Sequence, residues 1–216
     1  MEFLKNVFIV IWRGWFFLWS FTTVIILLPI LVIVIFKSNW YSISFKIARI
    51  WTKTKNSFVF VGKKELGKYP LFGYIYKRTS ILVDRNNSQS KIDVFNAAKK
   101  CIQNNLSICI FPEGKVPDDE SIILDHFQNG TFRLAIENQT PIVPMTFFDC
   151  KKRFSYTFLS GSPGELRVKV HNFISTKGSS LTDRNIIKNK IFDVIRNSLL
   201  ADKSYMESSL TSKTNH

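Results

Sequence analysis

Residues 14–36 read GWFFLWSFTTVIILLPILVIVIF, an uncharged run of 23 residues, and no other feature limits the chain so strongly. As a helix the run would be about 34 Å long, against a hydrocarbon core of roughly 30 Å. A cleavable signal peptide has a shorter apolar stretch followed by small residues, whereas Lys37-Ser38-Asn39-Trp40 follows here. A helix buried in a soluble core is seldom so long without a polar face. Trp12, Trp15, Trp19 and Trp40 lie towards the two ends, where amphipathic rings favour the headgroup zone. Pro29 falls inside the run and would kink it, or split it into a shallow hairpin entering one leaflet. A membrane-attached protein is expected.

The formal net charge is +14, and it is concentrated. Residues 37–100 hold 14 Lys/Arg against 3 Asp/Glu. A basic excess directly after an anchor puts that part of the chain on the cytoplasmic side of the cytoplasmic (inner) membrane. It also attracts anionic headgroups, by about 1 kcal/mol for each well-placed cation. Nucleic acid is the rival partner for such charge. The chain has no recognisable nucleic-acid module, so no nucleic-acid partner is expected.

Residues 40–53 carry Lys46, Arg49 and Lys53 among apolar side chains and suggest a helix lying at the interface. Beyond them short apolar runs alternate with helical stretches. Residues 58–61, 81–83, 107–111 and 142–147 read as strands, and residues 166–173 alternate regularly. Residues 91–104, 130–138 and 183–200 have helical spacing, with Asp183 as N-cap of the last. This order predicts an α/β domain with a largely parallel sheet flanked by helices. The expected organisation is a membrane anchor and interfacial helix over 1–53, a globular domain over 54–202, and a polar tail over 203–216.

Few catalytic chemistries remain open. Cys101, Cys109 and Cys150 are too few for a disulfide framework, and no Cys-x-x-Cys pair offers a zinc site, so no metal is expected. Histidines occur only at 126, 171 and 216. Residues 62–69 (GKKELGKY) nearly fit a phosphate-binding P-loop, but Tyr69 stands where that loop needs a small hydroxyl for Mg²⁺. No Gly-x-Ser-x-Gly elbow is present. The informative stretch is residues 107–114 (SICIFPEG). There a strand runs into a Pro-Glu-Gly turn, setting the Glu113 carboxylate at the carboxyl end of a sheet strand, where α/β proteins place ligands. Three further elements accompany it in order. Lys63-Lys64-Glu65-Leu66 precedes a short helix at 70–73; residues 77–85 (KRTSILVDR) read as a strand ending in Asp84-Arg85; and residues 141–144 (PIVP) open a later strand.

Together, in this order, the four elements resemble the phospholipid/glycerol acyltransferase family, most closely the bacterial lysophosphatidate acyltransferases. The resemblance runs from about residue 58 to 170. It implies a glycerolipid-acyltransferase-like sheet, and transfer of an acyl chain to 1-acylglycerol-3-phosphate. Acyl-coenzyme A or acyl-carrier protein would be the donor, with no further cofactor. Arg85 would then pair with the glycerol phosphate, a bidentate task suited to guanidinium. Glu113 and Gly114 would belong to the loop that positions the acceptor. Lys63 would be a further phosphate contact, with Lys64 as the neighbour able to replace it.

One part of the pattern is missing. The family's chemistry rests on a His followed five residues later by an Asp: the His takes the proton from the acceptor hydroxyl and the Asp holds the ring. That pair should precede Lys63, yet no histidine precedes His126. Five positions after His126 and His171 stand Thr131 and Thr176. Residues 51–57 lead directly from the interfacial helix into the first strand, as though an internal segment had been removed. Lys115 also stands where a Thr is usual. Asp125, adjacent in sequence, is not expected to orient the His126 ring, so His126 reads as a surface or helix-start residue. The expectation is an acyltransferase scaffold with no assigned catalytic residue and impaired turnover; the alternative is a non-catalytic membrane protein that binds lipid or phosphate.

Overall fold

The computed structural model describes residues 2–36, 58–69, 72–84, 87–115, 117, 122–155, 159 and 161–202. The expected interfacial helix at 40–53 and the tail at 203–216 lie outside the described residues.

The uncharged run belongs to a longer helix, α1 (Glu2–Phe36), which starts well before it and takes in Lys5 and Arg13. Pro29 lies inside α1 without ending it, so no hairpin forms there. Within α1, Phe3–Ile26 is long and apolar enough to cross a membrane by length and composition. The hydroxyls of Thr22 and Thr23 donate to the carbonyls of Leu18 and Trp19 at 2.8 Å, so neither enters an apolar surrounding unpaired. One face of α1 meets the rest of the protein. Arg13 is buried and donates to the Ser155 carbonyl at 3.1 Å. Its guanidinium stands 4.9 Å from the centre of the Phe154 ring, on which Trp12, Phe16 and Phe17 also pack.

The sheet follows from three short apolar runs. β1 (Phe58–Lys63) lies between β2 (Ser80–Val83) and β3 (Ser107–Cys109), all parallel. The register sets Lys63 opposite Val83 and Phe60 opposite Cys109. Parallel neighbours need a crossover, and helices supply it. A 3₁₀ turn (Lys64–Lys68) and α2 (Phe72–Thr79) join β1 to β2; α3 (Ser88–Gln103) joins β2 to β3. Residues 77–79, read above as strand, instead complete α2, because that crossover is otherwise too short to bring the chain back. Gly62 is required by this arrangement: Tyr76 of α2 lies over it, in the space a Cβ would take. α3 starts where Asn87 accepts from the amides of Gln89 and Ser90 at 2.9 and 3.2 Å.

A second layer builds the core. α4 (Asn129–Glu137) packs against α6 (Arg184–Ala201), whose Ile187, Ile191, Ile195 and Leu199 recur every fourth residue. Phe127, Phe132 and Ile136 complete this buried cluster. Asp183 precedes α6 but does not cap it with its side chain; its carboxylate instead accepts from Ser180 N and Oγ across the turn Leu181–Asp183. The last two strands do not extend the parallel sheet. β4 (Met145–Phe147) and β5 (Val168–Val170) pair antiparallel with each other. Between them lies the short helix α5 (Cys150–Arg153), preceded by buried Asp149. The Asp149 carboxylate accepts from Arg167 N, Nε and a terminal guanidinium nitrogen at 2.8–2.9 Å, and the same guanidinium reaches Asp202 beyond α6. These charge-assisted bonds fasten the hairpin to the last helix.

Candidate active site

In a parallel sheet every strand delivers its carboxyl end to the same edge, the usual place for ligands in an α/β fold. Here that edge receives Lys63 from β1, Asp84 directly after β2, and residues 110–114 after β3. Lys63 is exposed. The Lys64 ammonium stands 3.8 Å from an Asp84 carboxylate oxygen, so it is partly committed to that acid. The Asp84 amide donates to Ser90 Oγ at 2.9 Å, tying the end of β2 to the start of α3. Arg85, the residue assigned to the glycerol phosphate, lies outside the described residues.

The Pro-Glu-Gly turn is closed on itself by the Gly114 amide, which donates to the Phe111 carbonyl at 3.1 Å. Gly114 has φ +75°, a left-handed conformation that disfavours any side chain. A Cβ at Gly114 would also press on the Gln128 side chain at 3.2 Å. That neighbour matters, because residues 125–128 are clasped onto the turn. The Gln128 amide donates to the Pro112 carbonyl at 2.8 Å, and the Asp125 amide donates to Glu113 Oε2 at 2.8 Å. Glu113 is half-buried, and burial raises its carboxyl above the ordinary range despite the stabilising amide and the Lys151 charge. Glu113 therefore spends one oxygen on holding a backbone segment in place.

That segment presents His126. Contrary to the sequence reading, Asp125 does orient its neighbour. The Asp125 side chain folds back in a local turn, and Oδ1 accepts both the His126 amide and ring Nδ1, each at 2.7 Å. Those bonds lower the Asp125 carboxyl below its usual range. The His126 side chain is 77% exposed, and Gln128 Nε2 lies 3.3 Å from ring Nε2. Nothing in a reading by spacing finds this pair. The helping carboxylate is next door rather than a helical turn away, and the Glu113 partner is a main-chain donor.

The other titratable groups serve structure or stand apart. His171 Nε2 pairs with Thr146 Oγ1 at 2.8 Å, and burial pulls its pKa down. All three cysteines are free thiols, and burial raises Cys109 and Cys150. Among the described residues no group of three His, Cys, Asp or Glu side chains is placed to hold a metal ion.

A helix-flanked parallel sheet with a Pro-Glu-Gly turn at its carboxyl edge makes this an α/β protein that presents loop residues to a ligand at that edge. The profile of the Acyltransferase family matches residues 43–147 of the chain. The chain is 30% identical over 129 residues to a coconut (Cocos nucifera) 1-acyl-sn-glycerol-3-phosphate acyltransferase, covering 59% of this chain and 41% of the relative. It is 30% identical over 151 residues to a putative 1-acyl-sn-glycerol-3-phosphate acyltransferase of Caenorhabditis elegans, covering 68% and 52%. The crystal structure of the lysophosphatidate acyltransferase PlsC from Thermotoga maritima superposes with a TM-score of 0.53 at 19% identity. That likeness covers 66% of this chain and 55% of the other, and it establishes the shared fold. The chain spans about half the length of the curated relatives it matches.

Proposed function

We propose that this chain engages 1-acylglycerol-3-phosphate at the carboxyl edge of its parallel sheet, as a membrane-bound protein of the lysophosphatidate acyltransferase type. The observation that carries the reading is the edge itself, where the ends of β1 and β2 and the turn at 112–114 meet. Arg85 and Lys63 supply charge for the phosphate, and the turn shapes the acceptor's place. An acyl thioester of coenzyme A or of acyl-carrier protein is the donor. The basic stretch from residue 37 onward sits on the cytoplasmic side, against anionic lipid.

The sequence also argues that turnover is slow. A positioned general base contributes about 10²–10⁴ in rate, and the His-x4-Asp pair that supplies it in this family has no counterpart here. The test is made on the full chain in vesicles. Lysophosphatidate binding is measured directly, and phosphatidate formation is followed with an acyl-coenzyme A donor. The expected result is saturable binding that Arg85→Ala weakens at least tenfold, with formation well below that of a complete family member. Saturable binding with no formation at all leaves a lipid- or phosphate-binding protein. Binding that follows only anionic lipid content and salt, and ignores Arg85→Ala, refutes a defined acceptor site.

A further inference from the structure

The segment at 125–128 holds a feature near the sheet edge that the sequence left without a use. Its geometry reproduces the functional core of a His–carboxylate pair. Asp125 Oδ1 sits 2.7 Å from His126 Nδ1, which fixes the proton on Nδ1 and leaves the Nε2 lone pair as the basic site. The Gln128 amide nitrogen, 3.3 Å from Nε2, is a donor and therefore fits the same tautomer. The pair is not adrift on the surface. The Asp125 amide is held by Glu113 Oε2, and the Gln128 amide by the Pro112 carbonyl, so the imidazole is pinned to the turn that follows β3. Phe127, between His126 and Gln128, is buried in the core and fixes the segment from below.

We propose that His126 is the general base for acyl transfer in this chain, oriented by Asp125 and carried to the sheet edge by Glu113. The inference rests on the acyltransferase reading above. In the step, Nε2 takes the proton of the acceptor hydroxyl as its oxygen attacks the thioester carbonyl carbon. The carbon–sulfur bond then breaks, and the imidazolium returns the proton to the departing thiolate. Asp125 and Glu113 act on this proton transfer as positioning residues, through the ring and the main chain of the 125–128 segment. The acceptor hydroxyl takes the place of the Gln128 side-chain amide at Nε2, an exchange that the high exposure of the ring allows, and the same exposure places the expected gain at the low end of general-base catalysis, about a hundredfold.

The experiment uses the full chain in phosphatidylethanolamine–phosphatidylglycerol vesicles, with 1-oleoyl-lysophosphatidate and oleoyl-coenzyme A. Wild-type chain is expected to form phosphatidate slowly but above protein-free vesicles. His126→Ala and His126→Gln should each lower kcat about a hundredfold, and Asp125→Asn about tenfold with KM unchanged. Because the His126 side chain faces solvent, these variants are expected to fold, and their circular dichroism checks it. Turnover that His126→Ala leaves intact overturns this assignment while the acyltransferase reading stands. No wild-type turnover, with binding still sensitive to Arg85→Ala, overturns the assignment and leaves the binding function. Failure of both turnover and Arg85-dependent binding overturns the two together.

Discussion

Truncating Phe127 to Ala tests whether the core and the candidate site share one support. The ring is 4% exposed, stacks on Phe132 at a centroid distance of 6.1 Å, and meets Phe192 edge-on at 5.1 Å. Removing it deletes most of a buried aromatic side chain and leaves a cavity between α4 and α6. Changes of that kind cost about 3–5 kcal/mol. A single domain has roughly 5–15 kcal/mol to lose, so the variant should be severely weakened but still partly folded. Phe127→Leu refills part of the space and should cost about 1–2 kcal/mol. Tryptophan emission is a poor probe, since Trp12, Trp15, Trp19, Trp40 and Trp51 all precede β1. Amide hydrogen exchange in detergent micelles reads the effect directly. Protection along residues 187–199 should fall by the amounts above, and the Asp125 amide should exchange faster still, because its bond to Glu113 depends on the seat of Phe127. A loss below about 1 kcal/mol in α6, or an Asp125 amide as protected as in wild type, refutes the shared support.

Two other perturbations probe the remainder of the domain. Thr176 is fully buried, and its hydroxyl donates to the carbonyls of Thr140 and Ala135 at 2.9 and 3.2 Å. Thr176→Val keeps the shape but strips the donor, and should cost about 1–3 kcal/mol in a urea titration, with Thr176→Ser costing less. Arg167 holds the Asp149 carboxyl below its ordinary pKa, so the bond contributes stability above about pH 4 and loses it as pH falls through the lowered value. Asp149→Asn should therefore be destabilised at pH 7, with the gap to wild type closing below pH 4. An equal gap at pH 7 and pH 3 in the denaturant midpoint would contradict that sign.

The parts legible in the sequence were those written in apolar runs and helical spacing. Residues 58–61 and 81–83 announced β1 and β2, and the fourfold spacing from Ile187 to Leu199 announced α6. Boundaries moved where tertiary contacts decide them. β3 stops at Cys109 rather than 111, because its register with β1 covers only Phe58 to Phe60. Residues 166–173 alternate like a strand, but alternation does not name a partner, and they join β4 instead of the parallel sheet. At the candidate site, Glu113 and Gly114 were legible from their turn, with the φ of Gly114 supplying the reason for the glycine. The grip of Glu113 on residue 125 was not, since the donor it holds is main chain, and main chain has no letter.

A side-chain grip on main chain bears on how such a protein changes over generations. A carboxylate that grips a peptide amide accepts any amino acid except proline at the gripped position, and it is indifferent to the next side chain as well. Position 126 is thus a socket: the backbone is fastened from one direction by Glu113 and from another by the phenylalanine beside it, while the outward group is left free to vary. New reactivity can be tried there one substitution at a time, and the frame that presents it need not be rebuilt.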